Sequence, residues 1–105
     1  MPHEYTIEMV NHPQHYQECS MECIETMIIA FGAMETMKWC CITAYKYLFR
    51  YTSKNGIEDL KKAKWYLNKC WEIYMDYEID LPKQYYELEK ILEQHLKKAG
   101  IENEE

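Results

Sequence analysis

The segment from Thr36 to Tyr51 constrains this chain more than any other, because as a helix it is apolar on almost every side. Projected at about 100° per residue, Met37, Cys40, Cys41, Ile42, Ala44, Tyr45, Leu48 and Phe49 leave little of its surface for water. A rod of that kind belongs at the centre of a bundle, covered by its neighbours. Yet Trp39, Thr43, Lys46 and Arg50 follow one another at spacings of four, three and four, so they share one arc of it. Burying two cations one turn apart is costly unless anions answer them. Something negative is therefore expected to face this stripe.

The remaining chain reads as helix too. Only three Gly and three Pro occur in 105 residues, which disfavours a many-stranded β protein with its frequent tight turns. The length sets one domain, and 48% hydrophobic with 29% charged residues sets a globular one. A first helix is expected over 18–31, capped by Ser20 and stopped by Gly32. The second covers 36–51 and ends in the turn cluster Thr52-Ser53-Lys54-Asn55-Gly56. A third runs over 57–77, and a fourth over 81–99 after the break at Asp80-Leu81-Pro82. Residues 1–17 hold two Pro and three of the four His without a clean period and read as an irregular N-terminal arm. Residues 100–105 form an acidic tail. The expected fold is all-α, a compact bundle of about four helices behind that arm.

Charge and cysteine usage narrow the function classes. The formal net charge of −6 argues against general nucleic-acid binding. It is segregated, however. Residues 1–37 and 70–105 each sum to −6, and residues 38–69 to +6. A basic middle between acidic ends either neutralises itself across helices or makes a local anion site on an acidic protein. No apolar run approaches the roughly 18 residues of a membrane span. The odd count of five Cys, with Cys40 and Cys41 adjacent, points to reduced thiols and a cytoplasmic setting.

Two groups of acids inside the chain could answer the stripe. Asp59 falls on the apolar side of the third helix, among Ala63, Tyr66, Cys70 and Ile73, where a carboxylate needs a partner. Glu18, Glu22 and Glu25 share a face at the start of the first helix. One reading is a buried ion-pair network holding three helices in register. The other is that Lys46 and Arg50 bind phosphate or carboxylate, with Asp59 orienting Arg50, the one arginine in the chain. A guanidinium fork suits bidentate phosphate recognition. Trp65 projects among Glu58, Lys61, Lys62, Lys69 and Glu72 as an oligomer contact or a stacking surface. His95 lies in the apolar seam of the fourth helix and reads as a core histidine.

Other chemistry is sparse. The chain has neither a GxxxxGK[ST] loop nor GxGxxG, which excludes a standard P-loop kinase. His12, His15, Cys19 and Cys23 lack the paired-Cys spacing of structural zinc sites, so no metal site is assigned. Glu22 and Glu25 are half of a magnesium-binding acidic pattern whose downstream Glu-x-x-Asp is missing.

Several blocks occur in one order: Asn11-His12-Pro13-Gln14-His15-Tyr16, Glu22-Cys23-Ile24-Glu25, Lys46-Tyr47-Leu48-Phe49-Arg50, Lys54-Asn55-Gly56, and Glu58 through Leu67. Across residues 9–70 the chain resembles the SaV-like family of small phage proteins, described as nucleotide kinases. It departs from that pattern at Ile42-Thr43, where family members commonly carry Gly-Asn. The resemblance implies a phage origin, a helical fold and nucleotide handling in the cytoplasm of a bacterial host. It places Asn11, His15, Tyr16, Lys46, Arg50, Lys54, Asp59 and Lys62 at or beside the ligand. Trp39 and Thr43 of the stripe, and Tyr47, complete the candidate site, in which an aromatic such as Tyr16, Trp39 or Tyr47 would stack a base.

The leading expectation is a homo-oligomer that captures a phosphorylated nucleotide, including cyclic or ADP-ribose-type immune signals, without turnover and without a cofactor. The alternative is a nucleoside-monophosphate kinase, in which Lys46, Arg50 and Lys54 neutralise the transferring phosphate and Asp59 positions magnesium delivered with ATP. A further alternative is a helical interaction protein whose stripe is paired internally.

Overall fold

The computed structural model describes residues 21–53 and 55–100, and these are helical without a strand among them. The all-α fold is as expected. Four helices succeed one another: α1 (Met21–Phe31), α2 (Ala33–Arg50), α3 (Ile57–Tyr77) and α4 (Tyr85–Lys98). The expected arm over 1–17, the Ser20 cap and the tail beyond Gly100 lie outside the described residues.

Gly32 alone separates α1 from α2. Its N–H still donates to the Ile28 carbonyl at 2.8 Å, closing the last turn of α1. Its φ of 96° and ψ of 157° then lie in a region that side chains rarely enter. The Gly32 carbonyl accepts from both Thr36 N–H (3.1 Å) and Thr36 Oγ1 (2.9 Å), which starts α2 at Ala33 rather than at Thr36 as expected. Thr36 thus works one turn inside the helix, not at its beginning.

At the other end, Arg50 closes α2. Ser53 N–H donates to the Arg50 carbonyl at 3.0 Å, and Gly56 N–H to Tyr51 at 2.9 Å, folding the chain back into α3. Contacts then step in opposite directions along the two helices, from Arg50–Asp59 through Tyr47–Tyr66 to Cys41–Cys70. That sequence of pairs makes α2 and α3 an antiparallel hairpin. Met37, Cys40, Ala44, Ala63 and Cys70 are fully buried along it. These small or flexible side chains allow close approach, and Tyr47 and Tyr66 fill the wider end.

Glu78 ends α3 in the left-handed conformation, its N–H donating to the Tyr74 carbonyl. The chain then crosses at Ile79, Leu81 and Pro82, which lean on the core. α4 begins at Tyr85, not at residue 81, because Asp80 to Gln84 are spent on this crossing and on a turn closed by Tyr85 N–H to the Pro82 carbonyl. Tyr85, Leu88, Leu92 and Leu96 are its buried face. Ala99, just past its end, is exposed.

The central helix α2 is not wrapped on every side. Ile42, Tyr45 and Phe49 of α2 are 67%, 57% and 77% exposed, correcting the expectation of a fully covered rod. α1, α3 and α4 all touch α2, but together they cover only part of its circumference. No helix among the described residues is long and apolar enough to cross a membrane.

Candidate functional site

The loop joining α2 to α3 brings a buried carboxylate under an arginine. Asp59, in the first turn of α3, is completely buried. Its Oδ2 accepts the Asn55 backbone N–H at 3.2 Å, and Oδ1 accepts Asn55 Nδ2 at 3.4 Å. Carboxylates at a helix N-terminus are favoured by the free N–H groups and the helix dipole. Asp59 therefore closes the turn from within, a role for Asn55 that periodicity along the helix does not reveal.

Arg50 meets this acid from the last turn of α2. Its Nε lies 3.4 Å from Asp59 Oδ2, within ion-pair distance, yet Nε is buried and makes no hydrogen bond. The pair is an electrostatic contact without a directed N–H···O bond. About a third of the Arg50 side chain stays exposed (32%), while its Nε is buried beside Asp59.

Three cations gather on one aromatic ring. Lys46 Nζ stands 4.6 Å, Arg50 Cζ 4.8 Å and Lys62 Nζ 5.5 Å from the centroid of Tyr47. Tyr47 also stacks on Tyr66 at 6.0 Å with an interplanar angle of 14°. A π face attracts cations by about 0.5–2 kcal/mol each. Mutual repulsion among three positive charges opposes their gathering, and Asp59 brings one negative charge to the cluster.

The expected site residues divide as follows. Lys46, Tyr47, Arg50, Asp59 and Lys62 come together. Trp39 packs its edge against Tyr66 at 5.4 Å and is half-buried. Thr43 is buried on the same arc. Tyr47 is only 2% exposed, so it carries cations rather than offering a free face to a base. Asn11, His15, Tyr16 and Lys54 lie outside the described residues. Glu22 and Glu25 are exposed, and Glu18 lies outside the described residues, which leaves Asp59 as the acid seen at Arg50.

Two further expectations change. Trp65 is half-buried and set edge-on to Tyr66 at 4.9 Å, with Lys69 Nζ 5.3 Å from its ring, so it belongs to the core margin and not to an open charged face. His95 does pack inside the bundle: its Nδ1 lies 3.0 Å from Tyr51 Oη, tying α4 to the end of α2. Among the described residues no three His, Cys, Asp or Glu side chains come together as a metal site. Cys40, Cys41 and Cys70 are buried and unbridged, whereas Cys23 is disulfide-bonded, which corrects the expectation of reduced thiols throughout.

An all-helical protein with a basic, aromatic-backed corner at the α2–α3 turn is the class that this geometry defines. Residues 10–68 match the DUF3310 family, described as proteins of unknown function, and the chain belongs to it. The matched segment contains α1, α2, the turn and most of α3, hence the whole of the cluster around Tyr47. No curated protein and no solved structure matches the chain.

Proposed function

We propose that this protein captures a phosphorylated nucleotide at the corner formed by Lys46, Arg50 and Lys62, and holds it without turning it over. The observation that carries the reading is the convergence of these three cations on Tyr47, with Arg50 Nε buried beside Asp59. A guanidinium held in place beside a carboxylate is preorganised for a phosphate. The ligand class follows from the resemblance to SaV-like phage proteins. In that setting the natural ligand is a cyclic or ADP-ribose-type signal, and the protein is a counter-defence sponge in the cytoplasm of an infected bacterium. Exposed Ile42, Tyr45 and Phe49 on α2 support a homo-oligomer.

The kinase reading is weaker on one specific ground. Asp59, the acid it needs for magnesium, is completely buried and already engaged by Asn55 and Arg50. The structural reading has a specific observation in its favour, the Arg50–Asp59 contact itself. It treats the corner as an internal brace.

One experiment separates all three. The purified protein is mixed with labelled mono-, di- and cyclic nucleotides, with and without ATP and magnesium. Stoichiometric binding with intact ligand on release is the expected result, accompanied by a rise in melting temperature. Phosphorylation of a monophosphate establishes the kinase instead, and no thermal shift with any nucleotide establishes the brace. Arg50→Ala is expected to weaken binding at least tenfold, on the order of 1.4 kcal/mol, while the protein remains helical by circular dichroism.

A further inference from the structure

Away from the basic corner, α2 and α3 carry a second chemical pairing. Cys41 Sγ and Cys70 Sγ lie 3.9 Å apart, both buried, on the two arms of the central hairpin. Sulfur atoms in a disulfide are about 2.05 Å apart, so the two thiols are in contact but unbonded. Cys41 also lines a cavity of about 440 Å³, together with Lys38, Ile42, Tyr45, Gln84 and Leu88. Cys41 thus combines a partner thiol in contact with its sulfur and a place on the wall of a cavity.

We propose that Cys41 and Cys70 are an oxidisable thiol pair, in which a hydroperoxide entering the cavity reacts at Cys41 and Cys70 then closes an α2–α3 disulfide. In the first step the Cys41 thiolate attacks the distal peroxide oxygen. The S–O bond forms, the O–O bond breaks, and the leaving oxygen takes up a proton as water or alcohol. In the second step Cys70 Sγ attacks Cys41 Sγ. The S–S bond forms, the S–O bond breaks, and the departing hydroxide takes the Cys70 proton as water. Two thiols are oxidised and one peroxide is reduced.

The surroundings assign the order of attack. The hydrogen bond from Cys70 holds the Cys41 thiol below its ordinary pKa, and the same bond, with burial, raises that of Cys70. Cys41, on the cavity wall, is therefore placed to react first, and Cys70, fully buried and absent from that wall, to resolve. Lys38, one turn earlier on α2, adds a cation to the same cavity wall. Neighbouring Cys40 is fully buried, and burial pushes its pKa up to about 12, so adjacency in sequence does not make it a competitor.

The test uses the full chain, reduced, freed of reductant and exposed to hydrogen peroxide. Remaining thiols are then alkylated under denaturing conditions, and the protein is digested with trypsin without reduction. The expected product joins the peptide 39–46, alkylated at Cys40, to the peptide 70–83, lighter by two hydrogens than the sum of the peptide alkylated at Cys40 alone and the unalkylated 70–83. It persists in Cys40→Ala and disappears in Cys41→Ala. Full alkylation of Cys41 and Cys70 in the treated wild type overturns the proposal, as does a cross-link that survives in Cys41→Ala through Cys40. Should Cys41→Ala lose its helical circular dichroism, Cys70→Ala supplies the second measurement. Without its resolving partner, Cys41 is expected to accumulate as a sulfenic acid trapped by dimedone, and an unmodified Cys41 there overturns the proposal equally.

Discussion

Asp59 shows how one residue ties local sequence to long-range order. As a completely buried carboxylate it is costly by itself, and the cost is met by Asn55 through two hydrogen bonds and by Arg50 through charge. Removing it leaves the Asn55 N–H without its acceptor and Arg50 without its counter-charge. Asp59→Ala is therefore expected to destabilise the fold by about 3 kcal/mol in urea denaturation. Asp59→Asn is expected to lose less, because an amide oxygen still accepts from Asn55. This residue was legible in the sequence as an acid on an apolar face. Its partner Asn55 was not, since a turn residue four positions earlier has no helical period to betray it. Tyr47, one of three aromatics that the sequence offers for stacking a base, is buried at 2% exposure, because exposure is set by which neighbours cover a face.

Among elements, the boundary between α1 and α2 rests on a single backbone conformation. A Cβ added at Gly32 meets nothing within 4 Å, so any penalty there comes from the backbone and not from a clash. At φ 96° and ψ 157° that penalty is about 1–3 kcal/mol. Gly32→Ala is expected to lower the urea midpoint accordingly, with the cluster around Tyr47 undisturbed. The glycine was readable as a stop, but the start of α2 three residues earlier than expected was not. The Thr36 hydroxyl bonds back to the Gly32 carbonyl from one turn inside the helix. The late start of α4 has the same kind of cause. A Pro is compatible with a first helical turn, and only the packing of Leu81 and Pro82 on the core decided that these residues cross between helices instead.

Across the whole molecule, stability is expected to depend on alkaline pH through the buried thiols of the hairpin, Cys40 among them. Cys40 ionises near 9.0 when unfolded, but burial raises its pKa to about 12 in the fold. The folded state therefore holds the proton more tightly, and its contribution is fully present below pH 9 and is lost as pH rises toward 12. The slope is about 1.4 kcal/mol per pH unit for this one group. Melting temperature measured across that range is expected to fall, and Cys40→Ala to flatten the fall. The segregated charges follow the same logic of assembly: the basic middle of the chain supplies the three cations around Tyr47, and one of its two acids, Asp59, is the carboxylate among them. Periodicity and the scarcity of Gly and Pro sufficed for an all-helical chain, a central second helix and a cationic stripe that needs an acid, with Asp59 and the Glu18, Glu22 and Glu25 group as two candidates for it, because those depend on which residues lie on one face of one helix. Tertiary structure alone decided that Lys62 joins Lys46 and Arg50 on one ring, that Cys41 meets Cys70, and that Phe49 stays in water. Each of these depends on the rotation and register of one helix against another, which residues within a single element do not encode.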